Sequence, residues 1–188
     1  MTGHKASPPP YYLNDDWSSR VVIRQVESSD LRALEWEGAY KRFRRIYADV
    51  FERTQQGEAV MWIADLPGFG LIGQTFVQLN SDYRPELANG KTRAYVHAFR
   101  VRPQFRNAGL GTRLMLTAED DLRKRGYRAV ILAVAKDNPG ARRLYVRMGY
   151  EVIGAESGRW SYRDERGVLQ HVVEPSWRMR KNLQGDPQ

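Results

Sequence analysis

The sequence predicts one α/β domain built on a mixed sheet, and three observations carry that expectation. Segments with apolar residues at helical spacing interleave with β-branched and aromatic runs, in the order strand, two helices, three strands, helix, strand, helix, strands. Residues 129–134 form an apolar run without alternation, the pattern of a strand covered on both faces. The 188 residues suit one domain able to bury a sizeable core, and neither a linker nor an internal repeat interrupts them.

Taken in order, residues 1–19 read as an extended lead-in that is proline-rich at Pro8, Pro9 and Pro10. The domain is expected over 20–183, followed by a tail at 184–188. Residues 21–26 make a first strand, closed by Glu27-Ser28-Ser29-Asp30, which has the composition of a helix start. A short helix over 31–36 is interrupted at Gly38. A longer one runs to about Arg53, with Tyr40, Phe43, Tyr47, Val50 and Phe51 on one side and basic residues on the other. Residues 59–65 and 71–79 read as a hairpin across Pro67-Gly68-Phe69-Gly70. A strand over 92–101 stops at Pro103, which cannot donate to a ladder. The helix over 110–125 carries Gly111, Met115, Ala118 and Leu122 on one stripe, with three cations at its negative end. After the apolar strand comes a helix over 139–148, with proline in its first turn and Gly149 at its stop. The remainder alternates like strands, most clearly where Trp177 and Met179 stand against Arg178 and Arg180.

Composition narrows the chemistry. There is no cysteine, which excludes disulfides, thiolate metal sites and a cysteine acyl-enzyme. His4, His97 and His171 are the only imidazoles, and none has metal-ligand spacing to another, so no metal is expected. The net charge of +8 is scattered along the chain and lacks a basic-aromatic motif, so a nucleic-acid partner is not expected. No apolar run approaches the length of a membrane span, and a cytoplasmic location follows by default.

Two glycine patterns mislead. Gly68-Phe69-Gly70-Leu71-Ile72-Gly73 fits a dinucleotide fingerprint, and the stretch through Thr75 nearly fits a phosphate-binding loop. Neither is followed by a helix: Gln74 stands where the loop needs lysine, and 74–79 alternates like a strand. Both are read as a hairpin turn.

The informative stretch is Val101-Arg102-Pro103-Gln104-Phe105-Arg106-Asn107-Ala108-Gly109-Leu110-Gly111. A strand ends, a short arm turns and a helix opens on two glycines beside a permanent cation. Backbone amides at such a helix start favour an anion, so the segment reads as a phosphate-binding turn. A strand-to-helix loop that needs glycine for tight packing would look the same. Residues 101–111 resemble, without a gap, the acyl-CoA pyrophosphate signature of the GNAT superfamily, Val-x-Pro-x-x-Arg-x-x-Gly-x-Gly. A second element of that family, Asn-x-x-Ala-x-x-Leu-Tyr-x-x-x-Gly-Tyr, is matched by Asn138, Ala141, Leu144, Tyr145, Gly149 and Tyr150.

The resemblance implies a mixed, mostly antiparallel central sheet flanked by about four helices. It also implies an enzyme that carries acetyl from acetyl-CoA to an amine. Arg106, Asn107, Ala108, Gly109, Leu110, Gly111 and Thr112 would hold the pyrophosphate. Phe99, Arg100 and Val101 would offer backbone groups to the pantetheine arm, and Asn138 would hydrogen-bond it. Arg142 is a candidate partner for the nucleotide phosphates. Tyr145 would face the sulfur and protonate the departing thiolate; on residues alone it reads as a core aromatic. His97 stands where relatives carry a base, and could equally be a strand histidine satisfying a hydrogen bond. If it is silent, Glu35, Glu37 or a chain of waters could serve. The acceptor would lie between the segment of Glu35, Trp36 and Glu37 and that of Trp160, Tyr162, Asp164 and Glu165, where carboxylates and rings suit a cationic amine. Acyl transfer needs a neutral nucleophile, an oxyanion stabiliser and a proton for the thiolate. With no cysteine and no serine elbow, direct attack on the thioester is the economical route. A module that binds acyl-CoA without turnover remains an alternative, and a homodimer is compatible with the sequence.

Overall fold

A computed structural model describes residues 16–184. The first turns show where tertiary contacts overrule local pattern. Trp17 belongs to a helical turn, α1 (Trp17–Arg20), and its buried indole meets Phe105 edge-on at 4.9 Å. The extended lead-in expected over 1–19 is therefore wrong for 17–19, because that ring finds a core; 1–15 lie outside the described residues, as do 185–188 of the tail. After β1 (Val22–Gln25), the helix expected at 31–36 is replaced by 3-10 turns at Ser28–Asp30 and Ala33–Glu35. The chain then takes left-handed φ at Trp36 (46°), Glu37 (55°) and Gly38 (94°), which only glycine adopts cheaply. The strain is held by burial of Trp36 and by two arginine–carboxylate pairs, Arg44–Glu35 and Arg102–Glu37.

A third 3-10 turn, Lys41–Phe43, leads into α2 (Arg44–Gln55). The hairpin of β2 (Ala59–Leu66) and β3 (Gly70–Gln78) follows, and both of its strands are almost entirely buried. The glycine patterns at 68–73 therefore lie in a strand pair, with no helix for a phosphate. Next come β4 (Arg93–Val101), α3 (Leu110–Lys124), β5 (Ala129–Ala135) and α4 (Pro139–Arg147). The chain closes with β6 (Glu151–Glu156), β7 (Arg159–Arg163), β8 (Leu169–Val173) and β9 (Ser176–Asn182).

Seven strands form one sheet in the order β1-β2-β3-β4-β5-β9-β6, while β7 and β8 pair apart from it as a ribbon. Every neighbour pair in the large sheet is antiparallel except β4–β5. The mixed, mostly antiparallel sheet with four α-helices is thus present among the described residues. Helices α3 and α4 cover one face through Met115, Leu122 and Tyr145, and α2 covers the other through Tyr47 against Phe76. Within the first layer Glu119 is fully buried. It accepts from Lys181 Nζ at 2.6 Å, from Tyr150 Oη at 2.9 Å and from Arg123 at 3.3 Å, fastening α3 to β9 and to the start of β6.

Candidate active site

The central feature is a gap between neighbouring strands. Parallel pairing of β4 with β5 runs from Arg93↔Ala129 to Val96↔Leu132 and stops, although β4 continues to Val101 and β5 to Ala135. The cause lies on the other side of β4. Its register with β3 slips between Phe76↔His97 and Gln74↔Arg100, a bulge centred on Ala98, whose φ is +51°. An alanine in the left-handed region costs about 1–2 kcal/mol, and the buried Gln74 amide helps to fix it by donating to the Ala98 carbonyl at 3.3 Å. Beyond the bulge β4 turns away from β5, as parallel strands do where a ligand is to enter between them.

On the α3 side of the gap, the Phe99 ring lies 6.0 Å from that of Tyr145. The loop after β4 makes a 3-10 turn at Pro103–Phe105 and takes positive φ at Asn107 (63°) and Gly109 (79°), the N-cap of α3. Residues 106–109 are exposed, and no side chain caps the helix, so its first amides face outward at its positive end. Leu110 is buried beneath them and Thr112 continues the first turn. The two glycines have different reasons. Gly109 supplies the left-handed turn, whereas a Cβ on Gly111 would come within 3.0 Å of the Phe99 ring and 3.4 Å of Leu144. Gly111 therefore sets the approach of α3 to β4 and α4, the packing role that the sequence left open. Arg106 donates from Nε to the Val101 carbonyl at 2.9 Å, which holds its charge over the loop.

On α4, Asn138 is the N-cap: its Oδ1 accepts from the Ala141 amide at 3.1 Å, which orients the side chain and leaves its NH₂ group free to donate to a ligand. Arg142 lies 5.6 Å over Trp177. Tyr145 is buried between Phe99 and Tyr150, and its hydroxyl has no hydrogen-bond partner among the described residues. Burial, with a smaller push from the Tyr95 phenol, raises its pKa well above the ordinary tyrosine value, so it stays protonated and keeps a proton to donate.

The opposite side of the gap opens into a cleft of about 1020 Å³ floored by Tyr95, His97, Ala98 and Arg100 of β4. His97 stacks nearly parallel on Tyr95 at 5.8 Å and meets Phe76 edge-on. Desolvation, then the Arg53 and Arg100 charges, push its pKa down to about 4. The unshifted imidazole expected from the sequence is thus corrected: His97 is neutral throughout the physiological range.

The cleft's walls are rings and arginines. Phe43 lies 6.4 Å from Trp160 and 5.0 Å from Tyr162, so the β7–β8 ribbon roofs the start of α2. The two segments expected to frame an acceptor do share one side of the molecule, linked through Trp36, Tyr40 and Phe43. The carboxylates of the first segment, however, are bound by arginines. Glu35 is 3% exposed and bound at both oxygens by Arg44, which holds its pKa below the usual carboxylate range. Glu37 is clamped by Arg102, which also lies 5.0 Å over the buried Trp36. Neither glutamate nor Trp36 lines the cleft. Sequence reasoning missed Arg42 and Arg159, which do, and singled out Arg100 for its backbone alone, whereas its side chain lines the cleft as well. The one available signal was the alternation of ring and cation in Tyr40-Lys41-Arg42-Phe43, which had been read as a solvated helix face.

A mostly antiparallel sheet splayed at its one parallel pair, with a glycine-bearing loop opening a helix beside the gap, defines a GNAT-type fold. Residues 28–150 match the model of the acetyltransferase (GNAT) family, and the chain belongs to that family. Over 130 residues it is 28% identical to the probable N-acetyltransferase camello of Xenopus tropicalis, covering 64% of this chain and 56% of that protein. The chain thus spans little more than half the length of that relative. Among solved structures it resembles Ard1 from Thermoplasma volcanium, with a TM-score of 0.66 and 17% identity over 88% of this chain and 99% of that one. Arabidopsis thaliana NAA60 in complex with acetyl-CoA gives 0.60 and 22% over 88% and 99%. Among the described residues no helix is long and apolar enough to cross a membrane, and no group of three or more His, Asp or Glu could hold a metal ion.

Proposed function

We propose that the protein transfers the acetyl group of acetyl-CoA to a primary amine by direct attack on the thioester. The observation that carries this reading is the end of β4–β5 pairing at Val96↔Leu132, which leaves the rest of β4 free beside the Tyr145 hydroxyl. Residues 106–112 hold the pyrophosphate by backbone amides, with Arg106 adding charge, and Phe99 to Val101 pair with the pantetheine arm. The Asn138 NH₂ group and Arg142 add contacts along the same ligand. A neighbour of the same fold carries acetyl-CoA, which supports this choice of donor.

In the reaction a neutral amine entering from the cleft forms its bond to the thioester carbonyl as the carbon–sulfur bond breaks. The amine gives up one proton and the sulfur gains one. Tyr145, kept protonated by burial, supplies the sulfur's proton. His97 is too weak a base to compete for an amine's proton, so water in the cleft carries it away, with the imidazole a neutral hydrogen-bonding partner.

Calorimetry should show CoA binding that weakens in Arg106→Gln. Thiol release across a panel of amines should fall about 10²–10⁴-fold in kcat in Tyr145→Phe, with CoA affinity nearly kept. Full activity of Tyr145→Phe would reduce that residue to packing, and failure of the wild type to bind millimolar CoA would overturn the reading.

A further inference from the structure

Arg42 and Arg100 are stacked on the same two rings. Arg100 lies 4.1 Å over Tyr40 and 5.2 Å over Phe43, while Arg42 lies 4.6 Å over Phe43 and 5.7 Å over Tyr40. Both guanidinium groups are thereby held against one pair of rings, and among the described residues neither has a carboxylate partner. Arg100 donates instead to the Tyr47 hydroxyl at 2.9 Å, and Arg42 to the Ala39 carbonyl at 3.1 Å. Arg159, at the foot of the β7–β8 ribbon, faces the same cleft and is likewise without a carboxylate. The other two arginines on its walls, Arg84 and Arg178, both reach Glu156, and Arg84 also reaches Glu86, so two carboxylates balance the two cations. Glu174 remains as the single unpaired acid against three unpaired cations.

Ring stacking leaves the edge of a guanidinium, which carries the donors, free for a planar anion. None of residues 106–112 lines this cleft, so the charge is not part of the pyrophosphate loop. Arg100 follows the bulge on the splayed stretch of β4, which puts its anion close to the reacting carbonyl.

We infer that the acceptor is an amine carrying its own anionic group, a carboxylate a few atoms from the reacting nitrogen, clamped by Arg42, Arg100 and Arg159. The inference rests on the proposed transfer reaction. It reverses the cationic acceptor expected from the sequence, because the glutamates behind that expectation are bound by Arg44 and Arg102. Such a carboxylate could belong to a free amino acid or to an acidic peptide.

The test uses matched acceptors with and without the anion. L-phenylalanine is compared with phenethylamine, and a C-terminally amidated Ser-Glu-Ala peptide with amidated Ser-Lys-Ala, with spermidine as a polycation. kcat/KM should favour the anionic member of at least one pair by about tenfold or more, a preference that shrinks as salt rises. Which pair shows it identifies the source of the carboxylate. In Arg42→Gln and Arg159→Gln the ratio should contract toward one. Calorimetry on CoA-saturated protein reads the same preference without turnover. Anionic preference in binding with no thiol release would overturn the transfer reaction and leave the anion clamp standing. Equal or better use of the member without the anion in both pairs, or of spermidine over both anionic members, would overturn the inference, as would no binding of either anionic member at millimolar concentration.

Discussion

His97 shows how far one side chain's chemistry departs from its ordinary value once its surroundings are fixed. Packed between Tyr95 and Phe76 and facing Arg53 and Arg100, it has a folded-state pKa of about 4 against an ordinary 6.5. The folded protein binds this proton less well than the unfolded chain. The stability gained from a neutral imidazole is therefore whole above pH 6.5, declines as pH falls, and ends below about pH 4. Thermal unfolding of the wild type should weaken between pH 6.5 and 4 more steeply than that of His97→Gln. The rate profile should show no imidazole step between pH 6 and 8. A step there that vanishes in the variant would restore His97 as the base. Tyr145 is the complementary case, since burial keeps its hydroxyl protonated.

Among the elements, the β7–β8 ribbon has the most to do with the acceptor and the least to do with the sheet. It leaves β6 at Gly158 and returns at Glu174, where the Glu174 amide donates to the Gly158 carbonyl at 3.0 Å. A Cβ on Gly158 would fall 1.6 Å from the Glu174 carbonyl oxygen, and φ there is +61°. Alanine at this point must displace the ribbon and with it Trp160, Tyr162 and Arg159, while the sheet and the loop at 106–112 keep their own supports. Gly158→Ala should raise KM for the amine at least several-fold and leave CoA affinity close to wild type, both measurable once an acceptor is in hand. Equal loss of both would mean that the ribbon supports the whole fold.

At the scale of the whole molecule, the layers are joined through a buried charge. Glu119 takes Lys181, Tyr150 and Arg123 together, tying α3 to the last strand of the sheet and to the turn that follows Tyr145. Removing one partner of a buried pair costs about 3–5 kcal/mol, because the other is left uncompensated. Glu119→Ala should accordingly lower Tm by about 10 °C in a chain of this size. Tyr150→Phe, which removes one neutral donor, should cost about 1 kcal/mol. A Glu119→Ala protein that melts within a degree or two of wild type would show the network to be dispensable.

Read from residue order alone, the sheet, its main helices and the loop at 101–111 were legible because each rests on a local cause. Apolar alternation drives strands, helical stripes drive helices, and glycine at a helix start marks a turn. The extended N-terminus and the helix at 31–36 were misread because distant partners decide them: Phe105 for Trp17, Arg44 for Glu35 and Arg102 for Glu37. The buried Glu119 gave no sign of itself, since a glutamate in a helix is ordinarily at the surface. Pairing decided the rest. The sequence by itself determined that this chain folds as a GNAT-type domain with a glycine-bearing turn at the start of α3. Only the tertiary structure decided which charges remain free in the cleft, because a carboxylate bound by an arginine across the fold is no longer available to a substrate.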